Sequence, residues 1–356
     1  MVRHDGAPRT VLVTGSAGFI GYHLCRLLID EGFNVVGFDA MTDYYDVNLK
    51  RRRHAMLLQS ARFRMVEARL EDHAALHALF DRERPDAVVH LAAQAGVRYS
   101  LENPRSYLES NLVGTFNVME CAREFRVGHL LMASTSSVYG ANTKLPYAET
   151  DQTDHPLTFY AATKKANEVM AHSYAHLWDM PVTMFRFFTV YGPWGRPDMA
   201  LFKFVKGIID GTPIDVYNHG EMYRDFTYVG DLVRGIRLLI DAVPVRADDP
   251  ATIPAWDTLS PAAPFRVVNI GNSDTVKLTD FIDAIERECG RKAIRRELPM
   301  QKGDVPATWA DATLLRELTG YAPQTRVADG IRAFVAWYHD YFDAGERGHD
   351  PHGRQP

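Results

Sequence analysis

The stretch Thr10–Thr14 is apolar at its centre and runs straight into Gly15-Ser16-Ala17-Gly18-Phe19-Ile20-Gly21. Behind that turn, Phe19–Glu31 has the apolar spacing of a helix. A strand, a glycine turn and a helix in this order leave little choice of architecture. Glycines permit the tight turn and let the backbone approach a pyrophosphate. The helix start then offers unpaired N–H groups and the positive end of its dipole. Gly15, Ala17, Gly18, Phe19, Ile20 and Gly21 are therefore the first candidate cofactor contacts. A second strand, Asn34–Phe38, is followed by Asp39, 18 residues beyond Gly21. A carboxylate there can accept both hydroxyls of an adenosine ribose and would repel a 2′-phosphate. NAD is expected rather than NADP.

The alternation continues. Phe63–Val66, Ala87–Leu91, His129–Ala133 and Val182–Phe187 read as strands. Glu71–Arg82, Arg105–Phe125 and Phe159–Leu177 read as helices between them. Strands and helices of these lengths imply an α/β fold, a Rossmann-type doubly wound parallel sheet covered on both faces. After Tyr191 the pattern breaks at Gly192-Pro193-Trp194-Gly195-Arg196-Pro197, a loop-like run. We expect residues 1–188 to form the dinucleotide-binding domain, with 228–243 and 265–270 packing back on it. Residues 189–227 and 271–340 would form a smaller, discontinuous α/β substrate-binding domain across a cleft. Pro244–Pro264 reads as an exposed excursion, and 344–356 as a disordered tail.

Other classes are excluded by composition. A net charge of −5 with no basic stripe argues against nucleic acid. The run Lys50-Arg51-Arg52-Arg53 reads as a solvated helix face. Cys25, Cys121 and Cys289 stand far apart, as unpaired thiols of a reducing compartment would. Met1–Arg9 lacks an apolar signal region, and no apolar run is long enough to span a membrane. A cytoplasmic protein is expected. No His, Cys or carboxylate cluster has ligand spacing, so no metal is expected.

Tyr160 and Lys164 are four apart on a predicted helix and share a face. Ser134-Thr135-Ser136-Ser137-Val138-Tyr139-Gly140 ends a predicted strand, where ligands of such sheets bind. A phenol is a poor base at neutral pH, its ordinary pKa being about 10. A nearby ammonium and a positive nicotinamide both favour the phenolate. Lys164 is thus expected to tune Tyr160 as a general base and to hold the nicotinamide ribose.

The glycine spacing together with Tyr160-Ala161-Ala162-Thr163-Lys164 resembles the extended short-chain dehydrogenase/reductase family, from about Thr10 to Tyr338. The resemblance implies that Thr135 shares the proton path with Tyr160. Ser136 would be a reserve donor and Ser134 a cofactor contact. His90-Leu91-Ala92-Ala93-Gln94-Ala95-Gly96-Val97-Arg98-Tyr99-Ser100 and Arg186–Ala200 resemble bacterial UDP-glucuronate 4-epimerases. By that resemblance Leu91, Ala92, Ala93 and Leu70 lie against the cofactor. Arg98 and Ser100 would lie over it, within reach of pyrophosphate or sugar. Thr189 and Arg196 would bind the sugar carboxylate, Arg196 through two parallel hydrogen bonds. Arg224, in Tyr223–Val229, would pair with the UDP diphosphate, and Asp304 would approach the uridine ribose. Lys302 stands where the pattern has Pro, Arg69 where it often has Asp, and Ala40 where Asn is common.

The implied reaction is internal redox. Tyr160 takes the C4 hydroxyl proton while the C4 hydrogen passes to NAD as hydride. The 4-keto sugar turns, and the hydrogen returns to the other face. A small-molecule UDP-sugar is the expected partner, in a homodimer built on Arg105–Phe125 and Phe159–Leu177. UDP-glucose 4-epimerase and UDP-glucuronate decarboxylase are the rival activities. A nucleotide-sensing protein on the same fold is the non-enzymatic rival, but it would need no Tyr160–Lys164 pair.

Overall fold

The computed structural model describes residues 9–301 and 303–347. The first nine strands are β1 (Thr10–Thr14), β2 (Asn34–Asp39), β3 (Phe63–Glu67), β4 (Ala87–His90), β5 (His129–Ala133), β6 (Val182–Phe187), β7 (Thr189–Tyr191), β8 (Ile214–Tyr217) and β9 (Tyr223–Tyr228). The last three are β10 (Phe265–Ile270), β11 (Thr275–Lys277) and β12 (Arg295–Leu298). Seven of them form one sheet, in the order β10-β6-β5-β4-β1-β2-β3. Every neighbouring pair in it is parallel. β1 and β5 are buried at every position, the near-continuous apolar texture of strands covered on both faces. The chain moves outward through β2 and β3, then returns to place β4 on the other side of β1. That reversal leaves a crevice beyond the C-terminal ends of β1 and β4, where such sheets bind ligands.

Helices α1 (Phe19–Asp30), α2 (Val47–Leu57) and α3 (His73–Glu83) come first, followed by two short ones, α4 (Tyr99–Glu102) and α5 (Pro104–Tyr107). Next are α6 (Thr115–Glu124), α7 (Phe159–Trp178), α8 (Ala200–Asp210) and α9 (Val229–Leu239). The chain ends with α10 (Leu278–Cys289), α11 (Thr313–Thr319) and α12 (Val327–Arg347). One face of the large sheet packs on α1, α9 and α11 through residues such as Leu24, Leu28, Leu232, Ile236 and Leu315. The other packs on α3, α6 and α7 through Leu76, Phe80, Val118 and Ala171. A separate core gathers Phe202, Phe226, Phe281, Phe334 and Trp337 from α8, β9, α10 and α12.

Several expectations need correction. The stretch read as one helix, 105–125, holds a π-helical segment, Leu108–Gly114, between α5 and α6. The polar segment after β2 contains α2, and its basic run is only half solvated. Arg51 and Arg52 are exposed, whereas Lys50 and Arg53 are buried on the same helix face as Leu49 and Leu57. The tail expected to be disordered from 344 begins inside α12, which runs to Arg347. Residues 348–356, like 1–8 and Lys302, lie outside the described residues. Among the described residues no helix is long and apolar enough to cross a membrane.

Candidate active site

A cleft of about 520 Å³ opens at the C-terminal ends of the parallel strands. Of the candidate cofactor, catalytic and substrate contacts, all but Ala17, Arg98 and Ser100 line it. One wall is the glycine turn. Gly15 has φ +73°, and a Cβ there would stand 2.8 Å from the Ala92 backbone N. A side chain at Gly21 would run into the Gly15 carbonyl. Helix α1 starts without a side-chain cap and without an acid in its first turn. Its first N–H groups remain available to an anion. This cradle fits the pyrophosphate of a dinucleotide.

Asp39 closes β2 at the edge of the turn. Its Oδ2 accepts from Ala17 N (3.0 Å) and its Oδ1 from Met41 N (2.8 Å). Two backbone bonds aim the carboxylate and leave each oxygen a further lone pair for a ribose hydroxyl. Ala17 contributes its backbone here, its side chain being fully buried. Leu70 lies across the cleft, its carbonyl accepting from Asn117 Nδ2 at 2.9 Å. Beside it Arg69 pairs with Glu71 at 3.0 Å. Leu91, Ala92, Ala93 and Ala40 complete this half.

Tyr160 stands in the first turn of α7, which Thr158 caps by accepting from Ala161 N at 3.2 Å. Its phenol and Thr135 both line the cleft. Burial pushes the phenol above its ordinary value, and Thr135 and the Arg196 guanidinium work against that rise. The expected tuning by Lys164 is not what the geometry provides in the protein alone. Lys164 Nζ donates to the Ala133 carbonyl at the end of β5 (2.9 Å), and burial lowers the ammonium to about 8. Ser134 lines the cleft and is also tied into the protein. Its hydroxyl is buried and donates to Glu168 Oε1 at 2.6 Å, and Arg186 holds the same carboxylate through two bonds of 2.9 Å. Ser134 thus ties the strand end to Glu168 while lining the cleft. Ser136 lines the cleft one residue after Thr135.

The other half carries cations. Arg196 forms a two-point pair with Asp198, Nε to Oδ1 at 3.0 Å and Nη2 to Oδ2 at 2.6 Å. Thr189 on β7 is beside it in the cleft wall. Arg224 on β9 pairs with Asp304 at 2.8 Å, so two expected substrate contacts meet. Arg98 and Ser100 are not brought to the site. Arg98 is exposed and lies over the Tyr217 ring (4.7 Å), and Ser100 Oγ donates to Val97 O at 2.6 Å.

Four contributors were missed. Lys50 lines the cleft and donates to Thr42 O and Oγ1 at 2.6 and 3.0 Å. Arg53 is fully buried and donates to Ala17 O, Tyr45 Oη and Trp194 O, tying the glycine turn to the loop that bears Arg196. Tyr44 and Asp198 flank Arg196. For Lys50 and Arg53 the signal was helical spacing: Leu49, Arg53 and Leu57 recur every four residues on one face, with Lys50 beside them.

The comparisons with known proteins agree with this geometry. Residues 11–249 match the NAD dependent epimerase/dehydratase family. Over 327 residues the chain is 57% identical to a probable UDP-glucuronate 4-epimerase of Rhizobium meliloti, covering 92% of this chain and 96% of that protein. It is 43% identical over 343 residues to UDP-glucuronate 4-epimerase 4 of Arabidopsis thaliana, covering 95% of this chain and 77% of the plant protein. The crystal structure of UDP-glucuronic acid 4-epimerase from Bacillus cereus, in complex with UDP-glucuronic acid and NAD, aligns with TM-score 0.83 and 30% identity. That alignment covers 93% of this chain and 99% of the other. Matched by the family model over most of its length and by a relative at 57% identity, the chain belongs to the NAD dependent epimerase/dehydratase family.

Proposed function

We propose that this protein interconverts UDP-glucuronate and UDP-galacturonate by inverting C4 of the sugar. The observation that carries the uronate is the place of Arg196. Arg196 and Tyr160 line the same cleft, and the guanidinium is the charge that opposes the rise of the phenol's pKa. In a hexuronate the carboxylate carbon is attached to C5, next to the reacting C4. A cation that serves this carboxylate has to stand close to the base that serves C4. UDP-glucose carries no charge at that position and would leave Arg196 without a task.

NAD, when bound, supplies the acceptor and donor of the C4 hydride. The protein's own groups do the rest. The Tyr160 phenolate takes the C4 hydroxyl proton and later returns a proton, with Thr135 in the same cleft wall. Arg224 and Asp304 hold the UDP portion while the sugar turns. The oxidised sugar is a β-keto acid, which loses carbon dioxide when its C5–C6 bond stands perpendicular to the ring carbonyl. Arg196 and Thr189 keep that bond near the carbonyl plane and so disfavour decarboxylation. Incubation with UDP-glucuronate followed by chromatography should give UDP-galacturonate. UDP-pentose as the main product would make the protein a decarboxylase.

Asp39→Ala should weaken NAD binding by roughly ten- to hundredfold, the value of losing charge-assisted hydrogen bonds. Discrimination against NADP should fall with it, because the repulsion of a 2′-phosphate also goes. An unchanged NAD/NADP preference in a competition assay would remove Asp39 from the ribose site.

We read the protein as a cytoplasmic homodimer. Leu108, Val113 and Phe116 near the start of α6, and Val169, Leu177 and Trp178 on α7, are all exposed. A second copy would cover this apolar face. Three unpaired cysteines suit a reducing compartment.

A further inference from the structure

A guanidinium has five N–H groups on three edges. Asp198 takes the side-on edge of Arg196, receiving Nε–H on Oδ1 (3.0 Å) and Nη2–H on Oδ2 (2.6 Å). The Tyr44 ring stands against the same guanidinium, 5.7 Å from its carbon, and the Tyr44 hydroxyl donates to Asp198 Oδ2 at 3.4 Å. Arg196 is therefore held on one edge and one face. Outside the pair with Asp198 lie two N–H groups on Nη1 and one on Nη2; one from each nitrogen forms the end-on edge. Two parallel donors on that edge are what a second carboxylate needs. Arg196, Asp198 and Tyr44 all line the cleft.

The geometry points to Asp198, backed by Tyr44, as the positioning residue that presents the end-on edge of Arg196 to the sugar carboxylate. The proposal rests on the uronate-binding role given to Arg196 above. Asp198 does not compete with the substrate. It uses a different edge and removes the rotational freedom of a long side chain before the substrate arrives, so less entropy is lost on binding. Its charge also neutralises Arg196 in part, so the site retains a uronate through geometry more than through net charge.

The opposite view is that Asp198 blocks Arg196 until the substrate displaces it. The two views differ in sign. With Asp198→Asn, whose amide keeps the shape and loses the charge, we expect KM for UDP-glucuronate to rise about tenfold. Inhibition by UDP alone should change less than twofold, because UDP lacks the carboxylate. The pentose fraction among the products should rise, since the carboxylate is less restrained. Tyr44→Leu should show the same pattern through loss of the ring, which keeps the test open if Asp198→Asn does not fold.

A fall in KM for UDP-glucuronate in Asp198→Asn would establish competition and overturn the proposal. Equal weakening toward UDP and UDP-glucuronate in both variants would reduce Asp198 to loop support and overturn it too. Arg196→Ala, run alongside, separates the two levels. If it loses UDP-glucuronate selectively while Asp198→Asn does not, only the positioning role falls. If Arg196→Ala itself shows no selective loss, the uronate reading falls first.

Discussion

Replacing Tyr160 by Phe should lower kcat by about 10²- to 10⁴-fold while leaving bound NAD in place. A positioned general base contributes an acceleration of that order. The phenol oxygen is the only heavy atom removed. The cofactor cradle does not depend on it. The glycine turn, Asp39 and the start of α1 are built from other segments. Lys164 keeps its bond to Ala133 O, so the helix face is retained. Residual activity above a tenth of the wild-type rate would mean that another group carries the proton. Loss of NAD from the purified variant would mean that Tyr160 supports the site as well as the chemistry.

Arg196→Ala is the second large effect. If its guanidinium binds the sugar carboxylate, kcat/KM for UDP-glucuronate should fall about ten- to hundredfold, the value of a charge-assisted hydrogen bond or two. Any weak activity on UDP-glucose should fall much less. Some decarboxylated pentose should appear, because the keto acid is less restrained. The substitution also leaves Asp198 without its cation in a half-buried place, which adds repulsion toward an anionic sugar. Equal losses on both sugars would place Arg196 at the diphosphate or in the support of its own loop.

The sheet was legible because each of its first six strands is a short apolar run between helices of ordinary spacing. The glycine turn and Asp39 were legible because their chemistry follows from position along the chain. The failures have a common cause. Tertiary contacts decided where a polar side chain points, and only for Lys50 and Arg53 did helical spacing carry a trace of it. Lys50 and Arg53 look like surface charge in the run Lys-Arg-Arg-Arg, yet α2 turns them inward, where carbonyls of three loops receive them. Ser134 sits in a strand-end motif and lines the cleft, but a buried Glu168 from α7 takes its hydroxyl. Arg98 and Ser100 follow a cleft-lining loop, but Arg98 lies over the Tyr217 ring and Ser100 donates to Val97 O. Asp198 lay inside a quoted motif, and only the folded loop reveals which edge of Arg196 it occupies.

The most direct test of C4 inversion uses UDP-glucuronate deuterated at sugar C4, incubated with the purified protein in ordinary water and followed by NMR. The account predicts UDP-galacturonate with the deuterium still at C4, because the hydrogen leaves and returns to the same carbon. A UDP-pentose as the main product, or UDP-galacturonate with protium at C4, would contradict it.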